Sequence, residues 1–553
     1  MLKAPGEIRF VRQGRLHGQR LHFPGSVVKY WYLINCDGGI EMQAATAEQM
    51  RYLDNVTIHD LGVPSLLLME RAASGIVSEA LKLLEHPAGS RAVTFSGAGN
   101  NGGDGVAAAR LLRNAGVQVT AFLVGKREKM TDDTRAMEAM LRECGGELID
   151  FDPENPAHKR AAEEADLFID ALFGIGLNAD VRGNGKIAIE WMNESTAPVV
   201  AADIASGIQA DTGRKLGTAV QAAVTVTFTL PKAGHYVGEG GPATGRLVVH
   251  DIGIPQYLVD GLETNTTIID AGLVRSYLPK RPADGHKGTF GKDYILAGSV
   301  GYTGAPILAS RAAVRSGAGL VFLGVPQKIY QIAAIKSDEA MPIPLPDDDA
   351  GRLSESALMP VLAKLAECDA ALIGPGLGRS GDVSALVRNI LQTVKFPVVL
   401  DADGLNAIAA NRRSLDSRRE YPTILTPHDG EFARLGGDLS GGDRLAAARD
   451  FAQEHGCLLV LKGHCTIIAL PNGDALLNTT GNCGMAKGGS GDVLSGIILA
   501  LLGQKIPPVE ATAAAVWLHG RAGDLAAADK GTYAMTPVDL IDYLPAAFRE
   551  VSE

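Results

Sequence analysis

From Pro64 onward, short apolar runs alternate with longer stretches of helical period, and several of the runs end in Asp or Gly. That alternation limits the fold more than any other feature, because strands bounded by helices and Gly turns make βαβ units and parallel sheets. Residues 66–84 and 106–114 read as helices, and 91–97 and 117–124 as strands. Further strand-like runs occupy 166–170, 199–203, 223–230 and 246–250. Ile252-Gly-Ile-Pro255 closes this unit, and the Pro-, Gly- and charge-rich stretch 278–291 opens a second one. There the strand-like runs are 294–298, 320–325, 370–374, 398–401, 424–425 and 458–461, with helices between them, the first at 305–316. A chain of 553 residues is too long for one core. The expected division is 42–256 and 278–553, with a linker at 257–277. No short-period repeat occurs, which excludes a solenoid.

Residues 1–41 differ. They mix Arg, Gly and aromatics without a helical or strand period, whereas Thr46-Ala-Glu-Gln49 is a capping-type helix start. Either 1–41 is a poorly ordered extension or translation begins at Met42. The net charge of −11, with no Lys/Arg cluster, argues against a nucleic-acid partner. No apolar run reaches the roughly 18 residues of a membrane span, and the first residues lack signal-peptide order. Six Cys without a Cys-x-x-Cys pair suggest neither a disulfide framework nor a zinc site, so a reducing cytoplasm is expected.

Two constellations carry chemistry. Gly488-Gly-Ser-Gly491 precedes Asp492 and the apolar stretch 493–502. Glycines there let backbone N–H groups face phosphate oxygens, and a carboxylate at a helix N-terminus beside them is a candidate base for phosphoryl transfer. A tight loop with Asp492 as a helix cap is the plain alternative. In the first unit, Gly97-Ala-Gly-Asn-Asn-Gly-Gly-Asp-Gly105 joins a strand to a helix, where α/β sheets bind phosphates. It is not a Gly-x-Gly-x-x-Gly dinucleotide fingerprint. Asp170 and Asp203 each end a strand and should share that rim. Helix capping is the other reading of Asp170.

These motifs, with Asp170-Ala-Leu-Phe-Gly-Ile-Gly-Leu177 and Asp203-Ile-Ala-Ser-Gly207, resemble the NAD(P)H-hydrate epimerase domain. The second unit resembles the ADP/ATP-dependent NAD(P)H-hydrate dehydratase. The chain from about residue 43 to 550 is thus similar to the bifunctional NAD(P)H-hydrate repair family. The resemblance implies a Rossmann-like N-terminal α/β sandwich with a parallel sheet, followed by a ribokinase-like α/β domain. It implies that Asn100, Asn101, Gly102, Gly103 and Asp104 contact the hydrated nucleotide. The loop Gly174, Ile175, Gly176, Leu177, Asn178, Ala179 and Asp180 would line the same site with Asp203. Asn101, Asp170 and Ser206 would hold potassium. The family commonly has Pro where Ala205 stands here, which bears on loop rigidity more than on the ligand.

In the second unit the resemblance implies nucleotide contacts at Lys462, Gly463, His464, Cys465, Thr466 and Gly491, with Mg2+ accompanying ADP or ATP. It implies hydrate contacts at Ala305, Gly376, His428 and Asp492. Asp429 stands where the family commonly has Pro, and His428 alone reads more readily as a loop residue. Asp401-Ala-Asp-Gly-Leu-Asn406 ends a strand on this rim and reads equally as a phosphate or metal site or as a turn with a helix cap.

A hydroxyl at C6 of a reduced nicotinamide belongs to a hemiaminal, so the ring nitrogen can expel it, and a carboxylate, here Asp170, can shuttle the proton as configuration is lost and regained. Hydroxide leaves poorly and phosphate well. Asp492 would deprotonate the hydroxyl for phosphoryl transfer, after which nitrogen expels phosphate. The expected activities are epimerisation of R and S hydrates (NADHX, NADPHX) and nucleotide-dependent dehydration of the S form. The resemblance also suggests a homo-oligomer. Competing readings make the second unit a vitamin-precursor kinase and the first a non-catalytic binding module.

Overall fold

The computed structural model describes residues 42–552, so the expectation for 1–41 lies outside the described residues. The first unit is built on β1 (Arg91–Ser96), β2 (Gln118–Leu123), β3 (Leu148–Asp150), β4 (Leu167–Ala171), β5 (Val199–Ala202), β6 (Val224–Phe228) and β7 (Arg246–His250). They lie in the order β3-β2-β1-β4-β5-β6-β7, and every neighbouring pair is parallel. β4, β5 and β6 are buried along their whole length, as expected of strands covered on both faces. Alternation along each strand sorts side chains into two cores. Leu167 and Ile169 join one with Ile76 and Leu112, while Phe168 joins Phe95 and Phe122 on the other face.

The second unit holds β8 (Thr266–Ile269), β9 (Lys292–Leu296), β10 (Leu320–Pro326), β11 (Met341–Leu345), β12 (Ala370–Ile373), β13 (Val398–Leu400), β14 (Thr423–Leu425), β15 (Leu458–Leu461), β16 (Thr466–Ala469) and β17 (Ala475–Asn478). Their order is β11-β10-β9-β12-β13-β14-β15-β16-β17-β8. The sheet is parallel from β11 to β15. β16 then runs antiparallel to both β15 and β17, and β8 closes the edge parallel to β17. Both faces are covered, giving a second pair of cores.

Three features differ from the sequence reading. Segment 257–277, expected as a linker, contributes β8 and the helix Ala271–Tyr277 to the second unit. Strands β3, β11, β16 and β17 carry too few residues, or too much Pro in β11, to announce themselves. The helix expected at 106 starts at Asn100, so Asn100 to Gly105 form its first turns. The glycines allow that start to press on the sheet: a Cβ at Gly102 would lie 1.8 Å from the Gly97 carbonyl oxygen, and one at Gly105 would lie 2.4 Å from Ala171 Cβ.

Residues 42–45 and 231–237 tie the units together. Met42 accepts from Ile268 N at 2.7 Å, Ala44 N donates to Thr266 at 3.0 Å, and Ala45 N donates to Pro231 at 2.9 Å. Ala233 and Val237, which belong by sequence to the first unit, are buried in a core of the second, and Tyr236 packs against the same core.

Candidate functional site

The carboxyl ends of β1, β4 and β5 meet at one rim of the first sheet, where the helix Asn100–Asn114 begins without a side-chain cap. Unpaired N–H groups at such a start favour an anionic ligand. Asp170 is fully buried on β4. It accepts from Leu172 N at 3.3 Å and from Ser206 N at 2.8 Å. Burial pushes its carboxyl up to about 6, against the pull of the Ser206 donors. Ser206 Oγ accepts from Phe173 N at 2.9 Å. A Cβ at Gly174 would lie 3.2 Å from Asn101 Oδ1. The structure therefore brings Asn101, Asp170 and Ser206 around the turn 172–174.

One carboxylate with neutral oxygens suits a monovalent cation. The buried Asn101 Nδ2 has no protein partner, so that pocket still has a polar atom to satisfy. Among the described residues no group of three or more His, Cys, Asp or Glu side chains forms a metal cluster. The loop from Gly174 to Asp180 lies above this turn with Gly176, Asn178, Ala179 and Asp180 exposed.

Asp203 follows β5 with φ of 64°, a left-handed conformation that costs a non-Gly residue energy and collects at functional sites. Lys232 Nζ donates to its Oδ1 at 2.6 Å, and Thr227 Oγ1 donates to the same oxygen at 3.0 Å. His235 takes the Lys232 N–H on Nδ1 at 3.0 Å, so its Nε2–H donates to the Asp203 carbonyl at 2.8 Å. Burial works to raise the Asp203 carboxyl, but the Lys232 ammonium outweighs it and holds the group below its usual range. Burial, and after it the Lys232 charge, lowers His235 to about 4, so the ring is neutral. Two more carboxyls share the field. Asp104 is raised well above its ordinary value by burial and then by Asp203 and Asp54. Asp54, on the helix Ala47–Asn55, is raised to about 6 by burial and then by Asp203.

In the second sheet the corresponding rim holds Asp401, Lys462 and Asp492. Asp401 directly follows β13, and Ala402 after it has φ of 50°. Asp401 Oδ1 accepts from Thr426 at 2.8 Å and from Lys462 Nζ at 3.3 Å, and Oδ2 accepts from Ser495 at 2.5 Å. Burial opposes ionisation of Asp401, yet Lys462 and the two hydroxyls keep its carboxyl below the ordinary range. Asp492 sits in the first turn of the helix Ser490–Gly503. Burial, then Asp401, raises it to about 7, with Lys462 pulling the other way. That value suits a base working near neutral pH.

The glycine run bends where the sequence requires it. Gly489 has φ of 104°, and a Cβ at Gly488 would meet nothing within 4 Å. At Gly491 a Cβ would stand 3.3 Å from Lys462 Nζ and 3.8 Å from Asp401 Oδ2, so helix start, lysine and carboxylate face one space. Lys462, Gly463, His464 and Cys465 form the turn from β15 to β16, and Thr466 opens β16. Gly463 and His464 are exposed and Cys465 is buried. Ala305, in the first turn of the helix Gly304–Arg315, meets the loop at Gly376, where a Cβ would come within 3.3 Å of Ala305 Cβ. His428 caps the helix Asp429–Arg434, its Nδ1 accepting from Gly430 N at 3.0 Å while most of the ring stays exposed. It lies on the same side as Lys462 through Glu431 Oε2, 3.9 Å from the ammonium.

Several members of these clusters carried no signal in the sequence. Lys232, Thr227, His235 and Asp54 reach Asp203 only through the fold. His519, buried with Nε2 unpartnered beside Ser490, lies mid-helix with nothing local to mark it.

Comparison with known proteins matches each unit to a family. A family described as NAD(P)H-hydrate dehydratase matches residues 294–546, and one described as YjeF-related protein N-terminus matches 65–234. The chain is 43% identical over 518 residues to a bifunctional NAD(P)H-hydrate repair enzyme of Moorella thermoacetica, covering 93% of this chain and 98% of that protein. The counterpart in Salinibacter ruber is 37% identical, with 91% and 96% covered. Among solved structures, the Bacillus subtilis ADP/ATP-dependent NAD(P)H-hydrate dehydratase crystallised with ATP and Mg2+ is 33% identical. The match covers 51% of this chain and 97% of that one, with a TM-score of 0.43. No helix among the described residues is long and apolar enough to cross a membrane.

Proposed function

Because the chain belongs to the bifunctional NAD(P)H-hydrate repair family, we propose that its first unit epimerises R and S NAD(P)H hydrates and its second dehydrates the S form. The single observation that carries the second half is Asp492, at about 7, in the first turn of a glycine-preceded helix facing Lys462. Asp492 takes the proton of the C6 hydroxyl as that oxygen bonds to the terminal phosphorus of ADP or ATP, and the bond from phosphorus to the bridging oxygen breaks. The nucleotide leaves shortened by one phosphate. The ring nitrogen lone pair then expels phosphate from C6, the resulting iminium loses a proton from C5, and NADH or NADPH is regenerated. Lys462 and the backbone N–H groups from Gly488 to Gly491 offset charge on the transferred phosphoryl group. Mg2+, as in the Bacillus subtilis relative, would neutralise the nucleotide phosphates.

In the first unit, Asn101, Asp170 and Ser206 would hold potassium, which would supply a positive charge near the substrate. Asn100 to Asp104, the loop 174–180 and Asp203 would hold the hydrate while a carboxyl, assigned to Asp170, relays the C6 hydroxyl proton. The vitamin-precursor kinase reading has no observation in its favour. Incubating mixed R and S hydrates with ADP and with ATP, and following reduced cofactor by near-ultraviolet absorbance, tests the proposal. Complete conversion of both epimers supports it. Conversion of the S form alone removes the epimerase half, and none removes the dehydratase half.

A further inference from the structure

Asp203 is the strained residue of the first rim, and its restraint is one-sided. Lys232 and Thr227 both engage Oδ1, whereas Oδ2 has no hydrogen-bond donor among the described residues. The side chain keeps 11% of its surface exposed, while that of Lys232 keeps 1%. The lysine therefore cannot meet a ligand directly, but the carboxylate it holds can. Lys232 is itself fixed: its Nζ donates to Thr227 Oγ1 at 2.8 Å, and its backbone N–H is taken by His235, whose other nitrogen grips the Asp203 carbonyl. A buried Lys–Asp pair is seldom a net gain in stability over apolar packing, so its presence at a strained strand end asks for another reason.

We propose that Lys232 is a positioning residue for epimerisation, clamping one oxygen of Asp203 so that the other faces the hydrate as an ionised acceptor for a substrate hydroxyl. The inference rests on the epimerase reading above. The charged and titratable groups facing Asp203 are Lys232 and His235 from the 232–235 turn, Asp54 from the helix 47–55 and Asp104 from the helix 100–114. His235 is neutral, so among the described residues Lys232 is the one positive charge set against two further carboxyls. Without it, Asp203 would retain a proton at higher pH, and the acceptor would be lost.

The test uses the full chain, with interconversion of R and S hydrates followed chromatographically in the absence of nucleotide, so that the dehydratase is silent. For Lys232→Met, the acid limb of kcat/KM for epimerisation should move upward by at least about one unit, a fall of about tenfold at a pH on that limb. The deficit should shrink as pH rises, and dehydration of the S hydrate should stay at the wild-type rate. Thr227→Val, which removes one donor and keeps the shape, should displace the acid limb in the same direction by less. A deficit equal at every pH, or none, overturns the proposal. If Lys232→Met does not fold, an unmoved acid limb in Thr227→Val overturns it. Wild-type protein that fails to interconvert the hydrates would instead overturn the epimerase reading.

Discussion

Lys462 Nζ stands 3.3 Å from Asp401 Oδ1 although 61 residues separate them. The pair modulates Asp492: burial raises it most, the carboxylate of Asp401 raises it further and the ammonium of Lys462 lowers it. Asp492→Asn should therefore remove dehydration, by about 10²–10⁴ in rate for a lost base, and leave epimerisation intact. In the wild type the dehydration rate should fall as pH drops through about 7, where Asp492 takes up a proton. Dehydration at an unchanged rate by the variant would remove Asp492 from the chemistry.

Asp170→Ala should remove epimerisation and spare dehydration of the S hydrate, because the two sites lie at the rims of separate sheets. The N–H groups of Leu172 and Ser206 would lose their buried acceptor, at about 1–3 kcal/mol each. Asp170→Asn is the gentler form of the same test. Exchanging potassium for a bulky organic cation should slow the wild-type epimerase, and indifference to the cation would leave a purely hydrogen-bonded site. Product analysis from each pure epimer reads all three.

A chain starting at Met42 should fold and keep both activities, whereas one starting at Ala47 should lose stability. Residues 42–45 pair with β8 of the second unit and with Pro231 of the first. Thermal melting of the two shortened proteins separates these outcomes. Equal midpoints would mean that the 42–45 bridge contributes nothing.

Asp293 is fully buried on β9 with neither carboxyl oxygen hydrogen-bonded. Burial, and secondarily Asp369, pushes it well above its ordinary value. Its folded-state pKa is the higher one, so the fold loses stability as pH rises from the unfolded value toward the folded one. Asp293→Asn should raise stability by about 1–3 kcal/mol at neutral pH and by less in acid, without altering either activity. A difference in melting temperature that does not vary with pH would contradict this.

The alternation of apolar runs and helical periods was enough to read two parallel α/β units, because β1, β4, β9 and β12 are apolar runs that depend on no distant partner for their legibility. Short strands with polar residues in them, such as β3 (Leu148–Asp150) and β8 (Thr266–Ile269), do not differ locally from loops. β3 and β8 exist because a sheet edge accepts them. The same division holds at the rims. Asp170, Asp203 and Asp492 could be read because each ends a strand or opens a helix. Lys232 and His235 could not, because their meaning lies in Asp203, 29 and 32 residues away. Helix geometry at Asn100 was hidden by the glycines, whose local preference is for turns.

The turn that holds Asp203 continues into Ala233, Tyr236 and Val237, which are seated in the other unit's core. Gly241, a little further on, lies near His464 of the Lys462–Thr466 turn. The chain therefore cannot be cut into two self-sufficient halves. A first unit made alone would leave this apolar segment in water and lose the floor beneath Lys232. A stand-alone epimerase with the same rim would need polar residues at 233, 236 and 237 and some other means of bracing its lysine.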